Sequence, residues 1–238
     1  MAVRILPTSI GYPDTPEEVL SKPRLAKILR LAIPVVARKL ERLGITDETI
    51  YYEWGGKGDK NLAEYYSLSQ FPYNSKKIDA LIKKAYSSKK DDYWKHLKTE
   101  YLFQYSTPGP VIGLYERQKL AHYSYTDYEG TGFLSFTILH EYAHVIWEYF
   151  EVVHPEQQDI LEANYEEAER HYYDTVLQPW AASYNKDPTS FKLANELWAE
   201  DFAATAMEMT RGKENPYLPL GPDFVREMVT RYVKAAFK

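Results

Sequence analysis

Apolar residues recur at three- and four-residue spacing along much of this chain, the mark of amphipathic helices. In residues 22–43 the stripe is Leu25, Ile28, Leu29, Ala32, Ile33, Val36, Leu40 and Leu43, and Pro34 inside it is expected to kink or split the helix. Residues 132–152 carry Phe136, Leu139, Ala143, Ile146 and Phe150 after the break Gly130-Thr131-Gly132, with Thr131 as the candidate N-cap. Residues 193–209 contain neither Gly nor Pro and read as helix throughout. Phe224, Met228, Val229, Tyr232, Val233 and Phe237 predict a last helix over 222–237, and helical patterns also cover 59–68, 75–102 and 155–184.

Strand patterns are fewer. Thr49-Ile50-Tyr51-Tyr52-Glu53-Trp54 predicts a short strand, and Gly55-Gly56-Lys57-Gly58 after it reads as a turn. That glycine loop lacks the spacing and the Ser or Thr of a phosphate-binding loop. Val111-Ile112-Gly113-Leu114-Tyr115 and Leu120-Ala121-His122-Tyr123-Ser124-Tyr125 predict two strands around a polar turn. Residues 7–16, with three prolines and a glycine, read as an extended lead-in. Strands that precede runs of helix predict an α+β fold with a small mixed sheet. We take 1–238 as one domain, with an N-terminal subdomain over 1–130 and a mainly helical C-terminal subdomain over 131–238.

Composition narrows the function classes. The chain has no cysteine, so disulfides and thiolate metal sites are excluded and any metal must take His or carboxylate ligands. A net charge of -5 argues against a nucleic-acid partner. No stretch is long and apolar enough to predict a membrane span or a signal peptide, which predicts a cytoplasmic protein. The basic side chains of 22–43 and the acidic ones of 155–169 both read as solvated helix faces.

The chemistry concentrates in His140-Glu141-Tyr142-Ala143-His144. Two histidines four apart on a helix differ by about 40° in direction and roughly 6 Å along the axis, so both rings reach one metal ion. The spacing H-E-x-x-H also places a glutamate, Glu141, where it can serve as general base for water activated by that metal. Chance alone would produce the pattern in a chain of this composition with a probability on the order of 1%, so its context matters. The pattern sits within a helix that has an apolar side.

A catalytic zinc takes three protein ligands. Glu196 and Glu200 lie four apart on the helix over 193–209, among Leu197, Trp198, Ala199, Phe202 and Ala203. The pairing suggests Glu196 as third ligand and Glu200 as acceptor for the outer N–H of a ligand histidine. Asp201 is rotated about 140° from Glu196 and cannot join them.

These two motifs together resemble the gluzincin zinc metallopeptidases. They are most similar to the catalytic domain of anthrax lethal factor and the Pro-Pro endopeptidases, which carry a glutamate helix of the form E-x-x-A-E-x-F. The resemblance covers about a dozen residues between 130 and 210. It implies a zincin-like fold, one zinc held by His140, His144 and Glu196, Glu141 as general base and Glu200 behind a ligand. It also implies a tyrosine shortly before the ligand glutamate to stabilise the oxyanion. Position 189 is Thr189, and Tyr184 is the candidate if 185–192 is an insertion. An edge strand above the cleft pairs with extended substrate in such peptidases, a role open to the strands within 110–126. The expected function is zinc-dependent endopeptidase acting on a peptide or protein substrate. The alternative is a metallopeptidase-like regulatory or binding protein with little general proteolytic activity.

Overall fold

Alternation of buried and exposed residues starts at the N-terminus, where Val3 and Ile5 are buried while Arg4 and Leu6 are exposed. Arg4, Ile5 and Leu6 belong to strand β1 (Arg4–Pro7) in a computed structural model that describes residues 3–7, 23–46, 48–57, 63–66, 110–116, 131–172, 193–209 and 220–237. Strands β2 (Thr49–Lys57), β3 (Ala63–Tyr66) and β4 (Val111–Glu116) complete a four-stranded sheet of order β1-β2-β4-β3. β1, β2 and β4 run parallel, and β3 is antiparallel to β4. In β4 the inward pair Ile112 and Leu114 is fully buried, as period two requires.

Among the described residues, five helices pack on this sheet and on one another. They are α1 (Pro23–Arg42), α2 (Thr131–Val153), α3 (Pro155–Tyr172), α4 (Leu193–Ala206) and α5 (Pro222–Ala236). One hydrophobic core runs from Ile5 through Val36, Ile112, Phe150 and Trp198 to Tyr232. The fold is α+β and mainly helical. α2 is buried along most of its length, while α3 buries Leu161, Tyr165 and Ala168 and turns Glu156, Asp159, Glu166 and Glu167 to solvent. From Ala194 to Ala206, no residue of α4 is exposed. Among the described residues no helix is long and apolar enough to cross a membrane.

Several sequence expectations change. α1 runs unbroken through Pro34, because Val36 and Leu40 beyond the proline lie in the shared core and hold the second half in place. Thr131, expected just before α2, is itself helical. The strand that was to end at Trp54 continues through Gly55, Gly56 and Lys57, with a register shift between Trp54 and Lys57. Such a shift is what glycines inside a strand mark. Within 59–68 the helix expectation fails: Ala63–Tyr66 is a strand, since pairing with β4 overrides an ambiguous local pattern rich in strand-prone tyrosine. β4 is flanked by β2 and β3, so Val111–Glu116 offers no free edge to a peptide. The expected strand at 120–125, the helix at 75–102, the helical stretch 173–184 and the lead-in beyond Pro7 lie outside the described residues.

Two helix ends close in the same way. At the end of α1, Gly44 takes φ 90° while its N–H donates to Glu41 O and Ile45 N–H donates to Leu40 O. This is the Schellman turn that glycine favours. At the end of α4 the left-handed place is taken by Glu208, φ 60°, with Met209 N–H donating to Ala204 O. The Glu208 carboxylate is paired with Lys39 at 2.8 Å and Arg42 at 3.0 Å, which ties the end of α4 to α1.

Candidate metal centre

The site forms where α2 and α4 pack together. Trp198 of α4 donates its indole N–H to the carbonyl of Ala143 at 2.8 Å, a side-chain bond to the backbone of α2 between its two histidines. Trp198, Ala143, Ala199 and Ala203 are fully buried, and the three alanines add little bulk. The indole bond fixes how far α4 slides along α2, and this decides which α4 residues face His140 and His144.

Glu196 faces both. Its Oε2 lies 3.1 Å from His140 Nε2 and its Oε1 lies 3.6 Å from His144 Nε2. Ligand atoms of His140, His144 and Glu196 all fall within 4.8 Å of one another. Zinc bonds of 2.0–2.1 Å in a tetrahedron separate neighbouring ligand atoms by ~3.3 Å, so the observed separations bracket that value. The donor set, two imidazoles and a carboxylate, is one that catalytic zinc uses, and the group could hold a metal ion.

The outer ring nitrogens are also occupied. Glu200 Oε1 is 3.5 Å from His140 Nδ1. Asn195 Oδ1 accepts from His144 Nδ1 at 2.8 Å. In a metal-bound state each partner would accept from Nδ1–H and leave Nε2 to face the ion, the tautomer that a metal needs. Glu200 was anticipated from sequence. Asn195 was not, although it stands directly before the glutamate expected to bind metal. Glu141 is buried beside His140.

The electrostatics of the cluster are set by its carboxylates. Burial pushes the His140 imidazole down, but the hydrogen bond and charge of Glu196, then the charges of Glu200 and Glu141, outweigh it and raise His140 to about 9. Burial pushes Glu196 up, and the charge of His144 with the hydrogen bond and charge of His140 turns this round, lowering Glu196 to about 2. Glu200 is raised to about 7, by burial first, against the charge of His140 and with those of Glu196 and Asp201. Three carboxylates thus surround one buried ring and hold a proton on it. A divalent cation placed between the rings and Glu196 would satisfy the same negative field.

Asp201, set aside from sequence, is indeed turned away. Its Oδ2 accepts from Tyr165 at 3.0 Å and from the backbone N–H groups of Leu220 and Gly221, so it clamps the start of α5. His154 pairs with Glu156 at the head of α3, at 3.2 Å. Tyr184 lies outside the described residues. No family model matches the chain, and no curated protein and no solved structure matches it.

Proposed function

We propose that the chain is a zinc-dependent endopeptidase with a zincin-like catalytic domain. The observation that carries this reading is the convergence of two imidazole Nε2 atoms on the two oxygens of Glu196, at 3.1 and 3.6 Å. The resemblance of HEYAH and the glutamate helix to the gluzincins points the same way. His140, His144 and Glu196 hold the ion. When bound, zinc supplies a Lewis acid for the scissile carbonyl and makes water acidic enough to attack near neutral pH.

The chain's own residues do the rest. Glu141 takes the proton of the attacking water on its carboxylate and delivers it to the departing amine nitrogen. Glu200 and Asn195 keep the two ligand rings oriented. Tyr184 is the sequence candidate for steadying the oxyanion. An extended peptide adds to β3, the antiparallel edge strand that packs against α2, in place of the strand expected for that role.

Elemental analysis of the purified protein beside His140→Ala tests the metal. One zinc per chain, lost in the variant, is expected. Casein hydrolysis by the wild type, absent in a zinc-loaded Glu141→Gln variant, tests the chemistry. Zinc without hydrolysis of any general substrate would instead favour a regulatory protein built on a metallopeptidase scaffold. No zinc after reconstitution would overturn the reading.

A further inference from the structure

Glu48 is fully buried, one residue before β2, and its carboxyl meets no lysine, arginine or histidine among the described residues. Its Oε2 accepts from Tyr142 at 2.7 Å and from Tyr232 at 3.3 Å, while Oε1 has no hydrogen-bond partner among the described residues. Burying an acid this way is costly, and an apolar side chain of similar size would be cheaper. Among the described residues the other fully buried carboxylate, Asp201, is explained by its clamp on the start of α5. Glu48 has no such local task.

Its location supplies one. Tyr142 belongs to α2, between Glu141 and His144. At 100° per residue it points about 180° away from the midpoint of His140 and His144. Tyr232 belongs to α5. The backbone of Glu48 is held as well, since Arg4 N–H donates to Glu48 O at 2.9 Å. A single residue therefore joins the sheet, the rear of α2 and α5. Apolar packing tolerates small rotations of a helix about its axis, whereas a directional hydrogen bond does not. Side-chain tips stand ~5.5 Å from a helix axis, so a 10° rotation moves them by about 1 Å. A preorganised site tolerates about half of that.

We propose that Glu48 is a positioning residue for the metal centre: through Tyr142 it fixes the rotation of α2 and so sets metal affinity from the side of the helix opposite the ligands. The inference rests on the metal-centre reading. The test uses the full chain and four proteins, namely wild type, Glu48→Gln, Glu48→Leu and Tyr142→Phe. Zinc affinity is measured by competition with a chromophoric chelator, and the visible spectrum of the cobalt-substituted protein reports ligand geometry. Melting of the metal-free proteins reports stability separately.

Tyr142→Phe and Glu48→Leu are expected to bind zinc more weakly by up to about tenfold, the low end for losing a direct partner of a ligand. Their cobalt bands shift, and Glu48→Leu melts no lower than wild type without metal. Glu48→Gln, which still accepts from Tyr142, retains the wild-type affinity and spectrum. Should Glu48→Leu fail to fold, Tyr142→Phe removes only one hydroxyl and decides alone. Unchanged affinity and cobalt spectrum in Tyr142→Phe would overturn the proposal and leave Glu48 a purely structural residue. A wild-type chain that binds neither zinc nor cobalt would instead overturn the metal centre itself, and the anchor with it.

Discussion

Glu196 and Glu48 are carboxyls pressed against opposite sides of α2, and their surroundings drive them in opposite directions. Burial raises both. On the front, His144 and His140 outweigh burial, and Glu196 is held down to about 2. On the rear, the tyrosines Tyr142 and Tyr232 only soften burial, and Glu48 is pushed up to about 7. A carboxylate among imidazoles keeps its charge and calls for a cation. A carboxyl among hydroxyls takes up a proton and needs none. The same residue type, packed against one helix from two other elements, stays charged or takes up a proton according to whether its neighbours can carry positive charge.

The comparison breaks most visibly if the front is not a metal site. A ligand present at a thousandfold its Kd stabilises the folded chain by about 4 kcal/mol. For a chain of this size a chelator should lower the Tm by about 10 °C. His140→Ala should remove the response altogether. A wild-type Tm indifferent to chelator would show that Glu196 and its histidines are an ion-pair cluster and no more.

The rear is tested by pH. Glu48 binds its proton more tightly when folded, its value rising from 4.5 to about 7. The folded state is therefore unpenalised below 4.5 and loses stability as pH climbs through about 7. Ionising Glu48 in place costs about 3 kcal/mol relative to the unfolded chain. The groups that face it are Tyr142 from α2 and Tyr232 from α5. Urea unfolding of Glu48→Gln should match wild type near pH 4 and exceed it at pH 8 by up to that amount. A constant difference across this range would place the proton elsewhere.

A finer effect separates the two histidines. Asn195→Ala removes the acceptor for His144 Nδ1 and should weaken zinc binding 10- to 100-fold, about 1.4–2.7 kcal/mol. Chelator competition would measure this. An affinity equal to wild type would mean that α2 alone orients His144.

How much of this was legible in the sequence follows from where each signal lies. His140, Glu141 and His144 are a local spacing on one helix, and Glu196 with Glu200 is another, so both could be read before any fold was known. Their convergence depends on the bond from Trp198 to Ala143 O, which no periodicity encodes. Asn195 had a readable signal, the position before the candidate ligand Glu196 on the same helix, but an asparagine there looks like any polar residue. Glu48 had none. It stands 94 residues from Tyr142 and 184 from Tyr232, next to a turn where acids are usually wet. β3 was misread because Ala63-Glu64-Tyr65-Tyr66 carries no strict alternation, and its partner Val111–Leu114 is remote in the chain. Gly55 and Gly56 looked like a turn because glycine marks bulged strands and loops alike.

α4 carries a consequence for how the chain can change. It presents Glu196, Asn195 and Glu200 toward α2, Asp201 toward the start of α5, and buries everything else from Ala194 to Ala206. A helix enclosed on every side has no position at which drift is harmless. In a saturation-mutagenesis map α3 should appear as a striped segment, permissive at Glu166 and Glu167 and strict at Tyr165 and Ala168. α4 should appear as an unbroken band of intolerance, in which mutations that cost binding and mutations that cost folding sit side by side.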